Sequence, residues 1–471
     1  MLFNSFGFLF FFPLVCVLYY LLKNNRWRIP FLLVASYYFY MNWKPLYAVL
    51  IMTSTVLTYL CGLLMERHAG DKPKQKAFLV VSLVINFSIL LFFKYFDFIN
   101  ESVFSLLEMA GIRWTVPNLD VLMPVGISFY TFQAVGYSID VYRGTIKVER
   151  NFFTYALFVS FFPQLVAGPI ERAKNLLPQF HEEHRFDSYE AIEGLKQMLW
   201  GFFMKLCVAD MISEYVDVVY DNVGHHNGTS LIVATLFFTF QIYCDFSGYS
   251  LIAIGAARVM GFRLMENFHR PYYSLNIKEF WKRWHISLSS WFKDYLYIPL
   301  GGNRVKYPRH LLNLMITFLV SGIWHGAVWT FVVWGGLHGM YQVIGNIWCK
   351  YVHKHEYKTS FSRVIGTVFC FMLVSFAWIF FRANDVTEAF TIVGKIFTDH
   401  GAPFVDKSVF VYGFTALFIL IFKDTKDEFK WKVNFMHSKH TVVRYISTAA
   451  LVVYVLLFGS FANGQFIYFQ F

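Results

Sequence analysis

Charged residues are scarce in this 471-residue sequence. Asp, Glu, Lys and Arg together make up 15% of it, whereas an ordinary soluble domain contains about 25%. That shortage argues against the two or three soluble domains that the length alone would suggest. Apolar residues make up 57% of the sequence, and 21% of all residues are aromatic. The composition therefore predicts an integral membrane protein.

Several familiar catalytic and metal-binding patterns are missing. The six cysteines stand singly, without C-x-x-C spacing, so neither a disulfide framework nor a zinc site is predicted. There is no H-E-x-x-H, G-x-S-x-G or P-loop motif, which argues against zinc-protease, serine-hydrolase and P-loop nucleotidase chemistry. We therefore expect no bound metal and no bound cofactor.

Basic residues outnumber acidic ones, and the formal net charge is +11. They lie in short loops between apolar runs, which is the positive-inside pattern of membrane proteins rather than the basic domain of a nucleic-acid-binding protein. No nucleic-acid partner is expected. The basic loops at 23–28 and 423–444 are predicted to be cytosolic, which would place both termini outside and require an even number of crossings. The first apolar run, Phe6–Leu22, lacks a basic leader and a cleavage site, so we expect a retained helix.

Apolar stretches of about 17–25 residues, each long enough to cross a bilayer, recur from end to end. Two of them, Met123–Gly136 and Phe152–Gly168, are interrupted by proline and glycine. Such breaks are tolerated in a membrane where the backbone is buried in protein or lines a wet cavity. The sequence therefore predicts one all-α integral-membrane domain over residues 1–471, a polytopic bundle with broken helices around a cavity.

The stretch Asn267–Tyr341 contains the strongest candidate for chemistry. Its Lys278–Tyr297 part mixes Trp with Lys and Arg, which is typical of an interfacial helix with an aromatic belt. His325 lies 16 residues beyond Arg309, or roughly 24 Å along a helix. An ionisable group at that depth in a membrane is a functional-site hypothesis by default. The alternative is a histidine that is hydrogen-bonded to a neighbouring helix.

The motifs of this region resemble those of a known family. RWHISLSSWFKDYLYIPLGGNR (283–304) followed by GIWHGAVWTFVVWGGLHGMY (322–341) is similar to the signature of the membrane-bound O-acyltransferases. The resemblance is strongest for the bacterial branch that O-acetylates exported polysaccharides such as alginate or peptidoglycan, and a neighbouring branch transfers D-alanine to teichoic acids. It spans nearly the whole chain, through MPVGISFYTFQ (123–133), FPQLVAGPIERA (162–173), QIYCDFSGYSLIAIG (241–255) and FIYFQF (466–471).

The resemblance implies a through-membrane catalytic tunnel and roles for two histidines. His325 matches the essential WHG histidine of the family, and a neutral imidazole is a competent general base for acyl transfer. His285 matches the second motif histidine, which would orient or polarise the acyl donor near the tunnel mouth. His338 lies 13 residues beyond His325 and would face elsewhere on a shared helix, so packing is the favoured role for it.

Three further polar residues stand inside apolar segments, namely Gln133, Gln241 and Asp245. Asp245 in particular needs a partner or a cavity. Two interpretations are equally supported by the sequence: these side chains line the tunnel and bind the donor, or they pair helices structurally. The adjacent His225 and His226 could bind a metal, but solvated loop histidines are far commoner.

The last six residues, FIYFQF (466–471), would ordinarily be interpreted as an aromatic anchor at the membrane surface. They also resemble an F-x-Y-F-x-F tail that occurs on a separate small membrane protein in D-alanylation systems and is thought to carry the acyl group on its tyrosine. By that resemblance Tyr468 is the candidate acyl carrier. A phenol has a pKa of about 10, not far from about 8.5 for a thiol, so an acyl-tyrosine would retain much of the thioester's transfer potential.

The resemblance implies an acyltransferase of the bacterial cytoplasmic (inner) membrane. It would move an acyl group, with acetyl favoured, from a cytosolic thioester such as acetyl-CoA across the membrane for O-acetylation of an exported polysaccharide. An extracytoplasmic esterase-like O-acetyltransferase would be the partner that reaches the glycan. Three alternatives stay open from the sequence: D-alanyl transfer to teichoic acid, a lipid or sterol acyltransferase, and a non-catalytic transporter.

Overall fold

The structure is a computed structural model that describes residues 1–112, 114–119, 123–166, 168–352, 357, 359–461 and 466–467. Within those ranges every regular element is a helix. The chain divides into two compact units, Met1–Gly194 with Ala256–Met265, and Leu195–Gly255 with Glu266–Phe471.

The first unit is built from helices near the amino terminus. Its long helices α3 and α4 pack against each other and against α6, and a π-helical turn at Leu91–Tyr95 joins α4 to α5. The helices are α1 (Phe6–Leu21), α2 (Asn25–Met41), α3 (Tyr47–Arg67), α4 (Lys72–Leu90), α5 (Phe96–Met109), α6 (Ile127–Arg143), α7 (Phe152–Ser160), α8 (Phe162–Leu165) and α9 (Ala173–His181).

The second unit contains the WHIS and WHG motifs. Its helices are α10 (Ser188–Phe202, which begins in the first unit), α11 (Asp210–Tyr220), α12 (Gly228–Val259, which ends in the first unit), α13 (Ile277–Arg283), α14 (Ile286–Phe292), α15 (Tyr307–His325), α16 (Trp329–Tyr351), α17 (Ser360–Arg382), α18 (Val386–Thr398), α19 (Phe414–Glu428) and α20 (Thr441–Phe458). Further π-helical segments occupy Phe203–Ala209, Lys293–Tyr297 and Val409–Gly413.

Five of the described helices are long and apolar enough to cross a membrane. They are Tyr47–Arg67, Lys72–Met109 (α4, the π-helical turn and α5 taken as one continuous helix), Gly228–Val259, Ser360–Arg382 and Thr441–Phe458. The predicted fold class, an all-α polytopic membrane protein, is confirmed. The orientation of the termini stays a prediction.

The predicted break in the segment Phe152–Gly168 is present. Helix α7 ends at Ser160, and α8 starts at Phe162 with Pro163 in its first turn. A proline ring tolerates the first turn of a helix but not its interior, so α7 does not continue through Pro163. The side-chain amide of Gln164 donates to the carbonyl of Phe158 at 2.7 Å. That bond satisfies one of the carbonyls that the end of α7 would otherwise leave open.

Helices α15 and α16 form an antiparallel hairpin whose backbones touch. A Cβ added at Gly322 would collide with the carbonyl oxygen of Phe331, and one added at Gly335 would lie 2.5 Å from the carbonyl oxygen of Phe318. Real Cβ atoms do not approach a carbonyl so closely. Glycine at both positions therefore lets the two helices cross at backbone contact, which fixes the end of α15 against the start of α16.

We expect Gly322→Ala to destabilise the protein by about 1–3 kcal/mol, because an inserted methyl group has no room at this crossing. Gly345→Ala in α16 is the matched control, since a Cβ there meets nothing within 4 Å. Alanine is favoured over glycine in an open helical position by about 0.5–1 kcal/mol. Thermal unfolding in detergent should therefore lower the midpoint for the first variant and hold or raise it for the second. Equal shifts would contradict the close crossing.

Candidate active site

His325 is the last residue of α15, and its ring is 3% exposed. It packs among aromatic rings at centroid distances of 4.9 Å to Trp324, 5.0 Å to Trp334 and 5.7 Å to Phe381. The helix ends here because Gly326 turns to an extended conformation, and a Cβ at Gly326 would collide with the Phe331 ring. The W-H-G sequence therefore places an imidazole at a buried helix terminus.

His285 lies beside it. Its ring centroid is 6.2 Å from that of His325, and the side chain is fully buried. His285 occupies the break between α13 and α14 with φ +42°, in the left-handed region. A non-glycine residue there is strained by about 1–3 kcal/mol and persists only where its surroundings enforce it. The structure thus brings together the two histidines that the motifs predicted.

The interfacial helix predicted for Lys278–Tyr297 is wrong. That stretch is split into α13, α14 and a π-helical turn, and Trp281, Trp284 and Trp291 are buried rather than forming a surface belt. The aromatic rings pack inside the unit, where Trp284 lies 5.1 Å from Trp378. The break turns His285 inwards, which a continuous amphipathic helix would not do.

The protonation of His285 follows from its hydrogen bonds. The amide oxygen of Asn267 accepts from the backbone N–H of Ser287 at 3.3 Å and from its hydroxyl at 2.8 Å. Because a backbone N–H can only donate, the Asn267 atom at this point is the oxygen. His285 Nδ1 lies 3.1 Å from the same oxygen, so Nδ1 carries the proton.

Nε2 of His285 is therefore the ring's lone-pair nitrogen. It is buried and has no hydrogen-bond partner among the residues that the structure describes. His285 stands in the break between α13 and α14, outside the five helices that could cross a membrane. Burial lowers its pKa to about 3. The imidazole is neutral at physiological pH. It offers a proton acceptor beside His325.

A second unsatisfied group faces the same cluster of rings. The indole N–H of Trp334 is buried and finds no acceptor within the described parts of the chain. Its ring contacts both His325, at 5.0 Å, and His338, at 4.9 Å. An unpartnered donor and an unpartnered acceptor next to His325 are features that a bound substrate would satisfy.

The sequence analysis placed His338 and His325 on one shared helix, and that assumption is wrong. The chain turns between them, so His338 lies in α16 while His325 ends α15. Trp281 Nε1 donates to His338 Nδ1 at 3.3 Å. Packing and hydrogen bonding to Trp281 agree with the structural role favoured for His338.

A cavity of about 870 Å³ runs along α15 in this unit. Four cationic side chains line it, those of Lys278, Lys282, Lys293 and Arg304. Trp281, Leu288, Phe318 and Ser321 also line it. Ser321 lies four residues before His325, or about 6 Å along the helix, slightly more than one turn. The cavity therefore combines a basic lining with apolar walls that reach one turn from the catalytic candidate.

The three polar residues proposed for the tunnel have different surroundings. Asp245 pairs with Lys205, with Oδ1 and Nζ 2.6 Å apart, so helix pairing accounts for it. Gln241 is buried, and its side-chain oxygen has no hydrogen-bond partner among the described residues. Gln133 is buried in the first unit. Neither Gln133 nor Gln241 lines the 870 Å³ cavity, and their tunnel-lining role stays a prediction.

The carboxyl-terminal tail is described only at Phe466 and Ile467. Both residues are buried, and the Phe466 ring lies 5.7 Å from that of Phe246. Phe246 in turn contacts the His285 ring at 4.6 Å. Tyr468, the candidate acyl carrier, lies outside the described residues.

Sequence reasoning missed two residues of this region. Asn267, which sets the tautomer of His285, lies 18 residues before it. A 3₁₀ turn at Pro271–Tyr273 and helix α13 lie between the two residues, so no single helical periodicity connects them. Lys205 stands inside the apolar stretch 195–212, where an ionisable residue is itself a signal. That signal was available and would have pointed to Asp245 as a partner.

Comparison with known proteins gives matches over most of the chain. A model of the membrane-bound O-acyltransferase family matches residues 35–383. "Probable alginate O-acetylase AlgI" of Azotobacter vinelandii is 39% identical over 400 residues, 84% of this chain and 78% of that protein. "Peptidoglycan O-acetyltransferase" of Helicobacter pylori is 34% identical over 83% of this chain and 79% of its own length. "Teichoic acid D-alanyltransferase" of Bacillus subtilis is 26% identical over 57% of this chain and 71% of its own length.

The tautomer of His285 can be measured directly. We expect ¹⁵N spectra of histidine-labelled protein in lipid, assigned with a His285→Gln variant, to show a protonated Nδ1 and no titration between about pH 8 and pH 5. Asn267→Leu should remove the tautomer preference, because the accepting oxygen is lost. Ser287→Ala should leave it, since the Asn267–His285 bond remains. A protonated Nε2 in the unmodified protein would contradict the assignment.

Proposed function

Because this chain belongs to the membrane-bound O-acyltransferase family and is a multi-pass membrane enzyme, we propose that it moves an acetyl group from acetyl-CoA towards an exported polysaccharide. Two relatives named for O-acetylation of alginate or peptidoglycan cover 84% and 83% of the chain, against 57% for the D-alanyltransferase. The broader coverage favours acetyl over D-alanyl transfer. Family membership also argues against the transporter, which would need no covalent chemistry.

One observation carries the proposal: the basic cavity approaches the paired histidines along α15. Coenzyme A has anionic phosphates at one end and a thioester at the other, joined by a flexible arm. The ammonium groups of Lys278 and Lys282 and the guanidinium of Arg304, all on the cavity lining, suit the phosphates. The apolar walls at Trp281 and Phe318 suit the arm. The thioester would then reach the end of α15.

The chemical step is assigned to His325. As the acceptor hydroxyl attacks the thioester carbonyl carbon, His325 takes the hydroxyl proton, and a tetrahedral intermediate forms. Its collapse breaks the carbon–sulfur bond. The departing thiolate takes the proton from His325 and leaves as a thiol. The products are an oxygen ester and free coenzyme A.

His285 and Trp334 are given complementary roles. Nε2 of His285 has a lone pair and no proton, so it would hold the donor by accepting a hydrogen bond from an amide N–H of the coenzyme arm. It would not polarise the carbonyl, which is one of the two roles that the family resemblance suggested. The indole N–H of Trp334 is the donor that we assign to the oxyanion, because such donors stabilise the charge that develops in acyl transfer.

Tyr468 is the proposed acceptor of the first transfer. The buried packing of Phe466 on Phe246, and of Phe246 on His285, supports a tail that reaches the neighbourhood of the histidines. The acetyl-tyrosine would then pass its group to an extracytoplasmic esterase-like O-acetyltransferase, which completes transfer to the glycan. On this proposal the enzyme resides in a bacterial cytoplasmic membrane.

We expect His325→Ala to abolish acetylation of Tyr468, because lost general-base catalysis costs roughly 10²–10⁴-fold in rate. The protein is incubated with acetyl-CoA in the absence of the extracytoplasmic partner. Intact mass spectrometry of the carboxyl-terminal peptide then measures the acetyl group on Tyr468. Tyr468→Phe is the control that removes only the acceptor hydroxyl. Retention of more than about a tenth of the rate by His325→Ala would exclude the base role. Full glycan acetylation by Tyr468→Phe would replace the relay with direct transfer.

The double substitution Lys278→Gln with Lys282→Gln should raise the KM for acetyl-CoA by about tenfold or more, because a charge-assisted hydrogen bond contributes about 1.5–3 kcal/mol. The kcat should change little, since the histidines are untouched. Lys432→Gln, an exposed lysine that does not line the cavity, is the matched control. An unchanged KM in the double variant would exclude this cavity as the binding site of coenzyme A.

A further inference from the structure

Three ionisable side chains form a buried cluster that the proposed chemistry does not use. Lys205 Nζ lies 2.7 Å from Oδ1 of Asp210 and 2.6 Å from Oδ1 of Asp245. The side-chain exposures are 1% for Lys205, 6% for Asp210 and 3% for Asp245. When both carboxylates are ionised, the single ammonium leaves the cluster one negative charge in excess. A further hydrogen-bond donor is the natural complement of such a cluster.

Local geometry explains how the cluster assembles. Lys205 lies in the π-helical segment Phe203–Ala209, where residues five apart share a face, so Lys205 and Asp210 come together. A Cβ on Gly248 of α12 would lie 2.8 Å from the carbonyl oxygen of Gly201. Glycine at both positions lets α12 approach this segment closely enough for Asp245 to reach Lys205.

The carboxyl-terminal tail supplies the missing donor. The backbone N–H of Ile467 donates to Oδ2 of Asp245 at 2.7 Å, while Oδ1 of the same carboxylate contacts Lys205. The neighbouring Phe466 ring lies 4.5 Å from the Tyr249 ring. Tyr249 also faces Lys205, whose Nζ is 5.6 Å from the ring centre. The tail therefore contacts Asp245, which belongs to the ion cluster, and Tyr249, which packs beside it.

We propose that the cluster of Lys205, Asp210 and Asp245 is a docking site for the chain's own tail, in which Asp245 is a positioning residue for acyl transfer to Tyr468. Lys205 holds one carboxylate oxygen, which directs the other to the Ile467 amide. Tyr468 is the next residue, and consecutive Cα atoms are about 3.8 Å apart. Fixing Ile467 therefore limits how far the Tyr468 hydroxyl can travel.

The burial of the tail residues supports docking over a surface anchor. Phe466 and Ile467 are 0% and 4% exposed, whereas a residue that anchors a tail at a lipid surface keeps much of its side chain outside the protein. The hydrogen bond is to the backbone, so it fixes the path of the chain whatever side chain follows. This proposal rests on the proposed acyl transfer only for its consequence at Tyr468, because the docking itself is a separate claim.

Asp245→Asn and Asp210→Asn form a matched pair for the test. Each removes one buried carboxylate charge from Lys205, but only Asp245 contacts the tail. Asparagine at 245 has one oxygen where the carboxylate has two, so it cannot serve Lys205 and Ile467 in the same way. In the full-length protein in lipid nanodiscs, hydrogen exchange at the Ile467 amide should become at least tenfold faster in Asp245→Asn and stay unchanged in Asp210→Asn.

Transfer kinetics provide the second readout. Asp245→Asn should lower the kcat for acetylation of Tyr468 by roughly 10- to 100-fold, the effect of misplacing a reacting group by about 1 Å. The KM for acetyl-CoA should be unchanged, since Asp245 does not line the donor cavity. A merely structural role would alter stability in both variants alike and would not separate kcat from KM.

Ile467→Pro removes the donated N–H itself without touching the ion cluster, and it keeps the proposal testable if Asp245→Asn does not fold. In a double-mutant cycle on kcat, the combined variant should lose no more than either single one, because both remove the same hydrogen bond. Additive losses, or equal exchange rates in the two aspartate variants, would overturn the docking site. If Tyr468 is never acetylated but Ile467 exchanges faster only in Asp245→Asn, the docking site stands and the proposed relay fails.

Discussion

The crossing of α15 and α16 at backbone contact is the constraint on which the site depends. Gly322 and Gly335 leave no side chain between the two helices, so their axes are held at a fixed separation. Trp334, the residue before Gly335, is thereby held against His325 at the end of α15. The 870 Å³ cavity follows α15 as well. A looser crossing would move His325, the aromatic rings around it and the cavity together.

The polar groups inside this apolar unit fall into two kinds. Some are paired within the protein, as Lys205 is with its two carboxylates. Others have no hydrogen-bond partner among the described residues, and the Nε2 of His285 and the indole N–H of Trp334 are two of them. Burying a polar group without a hydrogen bond is expensive, and both of these groups lie beside His325. Paired groups hold the architecture, and on the proposed function the two unsatisfied groups beside His325 would bond to the substrate.

Much of the fold and part of the candidate site could be predicted from the sequence, and the predictions that failed did so for physical reasons. Composition and the recurrence of apolar runs predicted the all-α membrane fold, and Pro163 predicted a broken helix. The depth of His325 in its apolar run and its match to the W-H-G motif both singled it out as the candidate base, a role that stays a prediction. Periodicity could not reveal that Lys278–Tyr297 breaks at His285, since a left-handed residue is enforced by tertiary contacts. It could not link Asn267 to His285 either, because the two residues lie on opposite sides of α13 in the sequence and belong to no common helix.

The fusion of the tail to the enzyme changes the concentration that governs its docking. A segment on the same chain meets its site at an effective concentration in the millimolar range for a short tether, whatever the amount of protein in the membrane. The site for Phe466 and Ile467 would therefore be occupied in a single isolated molecule. A free peptide of the same sequence would have to reach millimolar levels to compete. A chain that carries its own tail needs no tight binding there, and on the proposed relay a weakly held tail would leave quickly after each transfer.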